Sequence, residues 1–293
     1  MKLSTTTYQI AKKVGLKEAV TLIKKAGFDA VDLSNLDIDV TNQQYDKSYF
    51  TEIKKYADSI GIYFNQSHAP YPSSYADDEN KTKEAYNKIV KSIENASYLG
   101  INHIVVHPCH HLKYYEEGNP SKLFEINMEF YNSLIPYSEE YGVKIALENM
   151  WRQIPGTFSG QGKISNSVCS TPDEFIKYLR ELNNDCFIGC FDIGHCTLVC
   201  QDAAEFILKL GSDRIKAVHV HDVDGISDTH TIPHFGIVDW DKVMKALKKI
   251  NYQGDFTYEA YNYFKSAPTE LLTDYLVFAE KIGRHLIKKF DNA

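Results

Sequence analysis

The sequence predicts an α/β fold, a (β/α)8 TIM barrel in a single domain over residues 1–293. Three observations predict it. A length of 293 residues suits one such barrel. Short β-like runs alternate with longer helical-period runs, eight times over, along the whole chain. No GxGxxG follows an early strand-like run, which counts against an open doubly wound sheet.

Taken in order, residues 3–7 (LSTTT) read as the first strand. Apolar residues then recur at helical spacing over 16–27, and Gly27 stops the run. Residues 28–34 are strand-like, 48–61 helical with a terminal glycine, and 62–68 the third strand. A long amphipathic helix over 79–100 closes at Gly100 and leads into a fourth strand, 101–108. Residues 121–142 are helical, with Pro136 expected to kink or divide the helix. A fifth strand follows at 143–149. Residues 149–170, rich in Gly, Ser and Asn, read as irregular, and a loop of that length is a functional lid or a disordered excursion. The helix at 170–182 has Ser170 or Thr171 as its cap and Pro172 at its first position. Strands at 186–192, 214–222 and 254–260 alternate with helices at 202–211, 239–250 and 267–290.

Composition narrows the class. Hydrophobic residues are 43% and charged residues 24%, the balance of a soluble globular chain. No apolar run reaches spanning length, and MKLSTTTYQI lacks a signal-peptide core, so a cytoplasmic protein without membrane partners is expected. A net charge of −7 weighs against a general nucleic-acid binder. The six cysteines lack CxxC spacing and are expected as free thiols.

Chemistry concentrates at the strand ends. Residues 217–241 hold His219, His221, His230, His234, Asp222, Asp224, Asp228 and Asp239, with no Lys or Arg. Strands three to eight end at His68, His107, Glu148, Asp192, His221 and Glu259. In a barrel those ends surround one mouth, so six metal-competent side chains converge. Glu148, Asp192, His221 and Glu259 are the expected core ligands. Three carboxylates and an imidazole suit Mn²⁺ or Zn²⁺, with Mg²⁺ and Co²⁺ as further candidates. His195 is expected to lean into the same mouth, whereas His219 is assigned a structural role one layer deeper.

At these residues the chain resembles a known family. His-Ala-Pro-Tyr (68–71), His-Pro-Cys (107–109), Leu-Glu-Asn (147–149), Asp-Ile-Gly-His (192–195), His-Asp-Val-Asp (221–224), Asp-Thr-His (228–230) and Tyr-Glu-Ala (258–260) resemble the xylose isomerase-like barrel superfamily. That superfamily includes sugar isomerases and epimerases and the apurinic endonucleases of the endonuclease four type. The resemblance to the ketose 3-epimerases implies a single metal on Glu148, Asp192, His221 and Glu259. The endonuclease pattern implies two more zinc ions, on His68, His107, His195, Asp228 and His230. An arginine that the epimerases carry soon after the strand-seven histidine is missing from 222–241, so their substrate contacts do not transfer.

Loop charge favours the sugar chemistry. The loops after strands two and three carry Asp37, Asp39, Asp46, Asp77, Asp78 and Glu79 against few lysines, which a duplex would not tolerate. The expected reaction is isomerisation or epimerisation of a small sugar, sugar phosphate or cyclic polyol through an enediolate, with Glu148 and Glu259 exchanging the proton. His68, His107, His195, Trp151 and Arg152 are the expected substrate contacts, with Phe158 in the lid and Arg152 or Lys163 for any phosphate. The alternatives are a trinuclear-zinc phosphodiesterase of the apurinic endonuclease type and a barrel that binds without turnover. Nucleic acid is not an expected partner, and association into a homo-oligomer is left open.

Overall fold

Around the barrel the strands follow one another in chain order, as βα repetition requires. The computed structural model describes residues 1–36, 38–154 and 163–293. Asp37, Phe158 and the side chain of Lys163 lie outside the described residues. Eight parallel strands close the barrel: β1 (Leu3–Thr6), β2 (Ala30–Ser34), β3 (Tyr63–His68), β4 (His103–Val106), β5 (Lys144–Glu148), β8 (Phe187–Asp192), β9 (Ile215–Val220) and β10 (Phe256–Tyr258). Between β5 and β8 the chain inserts an antiparallel hairpin, β6 (Trp151–Ile154) and β7 (Lys163–Asn166), where the sequence reads as irregular loop.

Pro136 does not divide its helix, which runs from Asn119 to Tyr141. Pro136 and Asn132, whose carbonyl loses its donor to the proline ring, are both exposed, so water can serve that carbonyl. The helix of residues 172–182 is capped by Thr171, whose side chain accepts from the Glu174 N–H. A short helix, Ile193–Leu198, follows β8 directly and was not foreseen. Asp192 caps it by accepting from the His195 N–H at 2.5 Å.

Alternation along the strands decides what faces inward. Ile104 and Val106, Ile145 and Leu147, Val218 and Val220, and Phe256 and Tyr258 join the large apolar layer shared with the outer helices. Val105, Ala146, Cys190 and Ala217 form a separate small cluster inside the barrel. Two positions beyond these four lie His107, Glu148, Asp192 and His219. The same parity turns Asp32, His68, Thr257 and Glu259 inward, so the barrel's own pleat assembles a polar layer above a small apolar floor. All six cysteines are unpaired. Among the described residues, no helix is long and apolar enough to cross a membrane.

Candidate metal centre

The inner layer brings carboxylates and imidazoles into three adjoining clusters, each with donor atoms within 4.8 Å of one another: His68, His107 and Glu148; Glu148, Asp192, His219 and Glu259; and His195, His221, Asp228 and His230. His68, His219 and Glu259 also satisfy the same distance. All of these residues are buried except Asp228, which is partly so.

The middle cluster adds a residue that the sequence reading had assigned to structure. His219, not His221, stands with Glu148, Asp192 and Glu259. Its Nδ1 lies 3.0 Å from Glu148 Oε1 and 3.3 Å from Glu259 Oε2. The reason is register: His219 is the β9 partner of Asp192 and lies two residues beyond Ala217, as Glu148 lies two beyond Ala146. His221 is one pleat further out. Its Nε2 lies 3.0 Å from both Asp192 oxygens, and its ring stacks on His230 at 3.8 Å. Gly194 makes room for it, since a Cβ there would sit 2.1 Å from His221 Cε1.

Glu148 is shared between clusters. Its Oε1 faces His219, while Oε2 lies 3.1 Å from His107 Nε2 and 3.6 Å from His68 Nε2. Several donor atoms are crowded together without forming hydrogen bonds. His68 Nε2, Glu148 Oε2, Glu259 Oε2 and Asp228 Oδ1 are buried and have no hydrogen-bond partner. Such atoms are costly unless something else satisfies them. The outer nitrogens are meanwhile fixed: Nδ1 pairs with the carbonyl of Ala69 in His68, of Asn149 in His195 and of Glu259 in His230. Nδ1–H donation there leaves each Nε2 lone pair directed inward, the arrangement that metal-binding histidines use. The donor chemistry therefore fits divalent cations of the zinc or manganese kind.

Electrostatics agree. Burial pushes the Glu148 carboxyl up, but His219 and His107 outweigh it and hold the group well below the usual carboxylate range. Asp228 behaves likewise, with His230 and His195 overcoming its burial. Burial pulls the His230 imidazole down, yet Asp228 and Glu259 carry it up to about 9. His195 and His219 also rise well above the ordinary value against their burial, through Asp192 and Asp228 for His195 and chiefly Cys190 and Glu259 for His219. The imidazoles and carboxylates thus hold one another in their charged forms, and a cation bound there would compete with the imidazole protons.

Above the clusters a cavity of about 340 Å³ opens, lined by Tyr71, His107, Trp151, His195, Glu259 and Tyr261 among others. Glu259 fronts it; Glu148, wholly buried, does not. Tyr71 stacks on His107 at 4.7 Å and Tyr261 on His230 at 4.1 Å. The hairpin forms one wall. Its Trp151 donates to Asp228. Arg152 lines the cavity and also donates to the carbonyls of His110 and His111.

One buried acid went unnoticed in the sequence reading. Asp32, wholly buried on β2, is pushed up to about 7 by burial, against the pull of His219 and His68. An acid whose folded pKa is raised loses stability as pH climbs from the unfolded value towards the folded one, because the native state binds more protons there. In metal-free protein, Asp32→Asn should therefore match wild type near pH 4 and exceed it by up to about 4 kcal/mol at and above pH 7. Urea denaturation of both proteins across that range checks this, and a pH-independent gap would refute it.

Comparison with known proteins places these features in a family. Residues 20–276 match the family model described as a xylose isomerase-like TIM barrel. A Methanocaldococcus jannaschii protein of uncharacterised function is 29% identical over 224 residues, 74% of this chain and 71% of that one. The fructoselysine 3-epimerase of Shigella flexneri is 24% identical over 65% of this chain and 64% of its own. An Acholeplasma laidlawii protein named a probable endonuclease 4 is 26% identical over 61% of each. Among solved structures, the IolI protein with a bound zinc atom aligns with a TM-score of 0.78 at 19% identity, over 99% of both chains. A D-tagatose 3-epimerase-like protein aligns with a TM-score of 0.76 at 22% identity, over 100% of this chain and 99% of that one. At these identities the structural likenesses carry the fold.

Proposed function

The chain belongs to the xylose isomerase-like TIM barrel family, and on that premise we propose that it is a metal-dependent isomerase or epimerase of a small sugar, sugar phosphate or cyclic polyol. The observation that carries this reading is a buried carboxylate–imidazole cluster beneath a cavity of about 340 Å³ with aromatic walls. That volume suits a molecule of sugar size, not a duplex. Arg152 is the one Lys or Arg among the described residues lining it, and two of its nitrogens already hold loop carbonyls.

A cation on Glu148, Asp192, His219 and Glu259 would supply Lewis acidity at a substrate carbonyl. Glu259 has surface on the cavity and is the group placed to take a proton from carbon. Glu148 has its two oxygens against different imidazoles and no surface on the cavity, so we assign it to holding the cluster together and not to returning the proton. Tyr71, Trp151 and Tyr261 exclude water from the reacting carbon. His195, which also lines the cavity, is assigned to bind a substrate oxygen.

A second reading has its own support. Three donor clusters, not one, favour phosphodiester hydrolysis of the apurinic endonuclease type, in which several cations would share the site. One experiment separates the two. Zinc- and manganese-loaded protein is incubated in deuterium oxide with a panel of ketoses, ketose phosphates and cyclic ketopolyols, and in parallel with abasic duplex DNA. Deuterium entering the carbon beside the carbonyl is the expected result. Nicking of the duplex at low enzyme, with no exchange into any sugar, would reverse the assignment.

A further inference from the structure

We propose that Trp151 is a positioning residue: its indole ties the β6–β7 hairpin to Asp228, so that cation occupancy of the His195, His221, Asp228 and His230 cluster is coupled to the hairpin that walls the cavity. The inference rests on the reading that this outer cluster holds a cation of its own, beside the one assigned to Glu148, Asp192, His219 and Glu259.

The geometry starts from one carboxylate. Trp151 Nε1 donates to Asp228 Oδ2 at 3.1 Å across 77 residues of chain. The same oxygen lies 2.8 Å from His230 Nε2 and 3.4 Å from His195 Nε2. The other oxygen, Oδ1, is buried and unpartnered. Oδ2 is thus the oxygen that meets the cluster's imidazole nitrogens, and the indole donates to that same oxygen.

These donors differ in what a cation does to them. His195 and His230 spend Nδ1 on backbone carbonyls, so only Nε2 can ligate. An Nε2 whose lone pair is turned to a cation donates nothing to Oδ2. The indole nitrogen is a donor only and has no part in ligation. It is the donor that can keep Asp228 oriented in both the loaded and the unloaded protein. A partner of this kind, one shell out from the metal, is worth about 10- to 100-fold in metal affinity.

Coupling runs both ways by linkage. Trp151 opens β6 and pairs with Asn166 of β7, so whatever fixes the indole fixes the base of the hairpin. The neighbouring Arg152 holds the same strand to the carbonyls of His110 and His111. That second tie involves none of the cluster's donors and is indifferent to its occupancy.

The test uses full-length protein stripped with a chelator and titrated with zinc against a chromogenic competitor. Hydrogen exchange of residues 151–154 and 163–166 is followed in parallel. Trp151→Phe should weaken one class of bound zinc by about 10-fold or more and leave the others unchanged. Zinc should slow exchange in the hairpin of wild type, and less so in the variant. Zinc affinities identical in wild type and Trp151→Phe, or hairpin exchange in wild type that ignores zinc, would overturn the proposal. The wild-type exchange arm stands even where the variant folds poorly. Asp228→Asn separates the two levels. If it changes no zinc affinity, the cluster holds no cation and the underlying reading falls as well; if it does while Trp151→Phe does not, only the coupling fails.

Discussion

Glu148→Gln is expected to remove at least one bound cation and to lower turnover by about 10³-fold or more. The two oxygens of Glu148 serve different imidazole sets, His219 on one side and His107 with His68 on the other. Glutamine retains the shape and one oxygen. Its amide nitrogen is a donor and cannot ligate, so whichever way it turns, one cluster loses its carboxylate. Glu259→Gln is the contrasting case. Glu259 fronts the cavity, and its oxygens keep longer distances to the imidazoles, 3.7 Å to His68 Nε2 and 3.3 Å to His219 Nδ1. Its loss should abolish proton transfer while most of the bound metal is retained. Elemental analysis of the purified proteins, paired with the isotope-exchange assay, distinguishes the two variants. Full metal content in Glu148→Gln would show that no cation bridges there.

The barrel and its ring of strand-end carboxylates and imidazoles were legible in the sequence because both follow from alternation. A strand that buries Ile145 and Leu147 outward must turn Ala146 and Glu148 inward. Parity, however, is blind to height. His219 and His221 share an inward face, and only the register with Asp192 on β8 says which one is level with the carboxylates. That stagger is a property of barrel closure, to which no local pattern in β9 corresponds. The β6–β7 hairpin escaped for a different reason. Its strands are four residues each and half-buried, so they lack the apolar alternation that marks a strand. Trp151 and Arg152 were expected to touch substrate. Both line the cavity, but each also holds another part of the wall, a use that depends on long-range partners at Asp228 and at His110 and His111.

Asp222→Ala is expected to destabilise the metal-free protein by about 4 kcal/mol and, in zinc-treated protein, to lower the zinc that the His195, His221, Asp228 and His230 cluster takes up. The carboxylate is wholly buried and takes four donors. Oδ1 accepts from the backbone N–H groups of Val223 and Val238, both at 3.0 Å. Oδ2 accepts from the N–H of His234 at 2.9 Å and from the Trp240 indole at 2.8 Å. The backbone of the same residue pairs with Thr231 in an isolated bridge. One side chain therefore gathers both ends of the loop that presents Asp228 and His230. It also accounts for Gly236, where a Cβ would lie 2.3 Å from Oδ1. His230 and His234 both adopt positive φ, at 40° and 72°, a conformation that non-glycine residues keep only where their surroundings enforce it. Alanine would leave three backbone donors and an indole buried without acceptors and release that constraint. Asparagine should be intermediate, since it keeps one oxygen but turns a second donor towards two others. Urea denaturation gives the stability, and zinc stoichiometry reports the cluster. A loss below about 1 kcal/mol, with the cations retained, would mean that the loop holds His230 and Asp228 in place without this carboxylate.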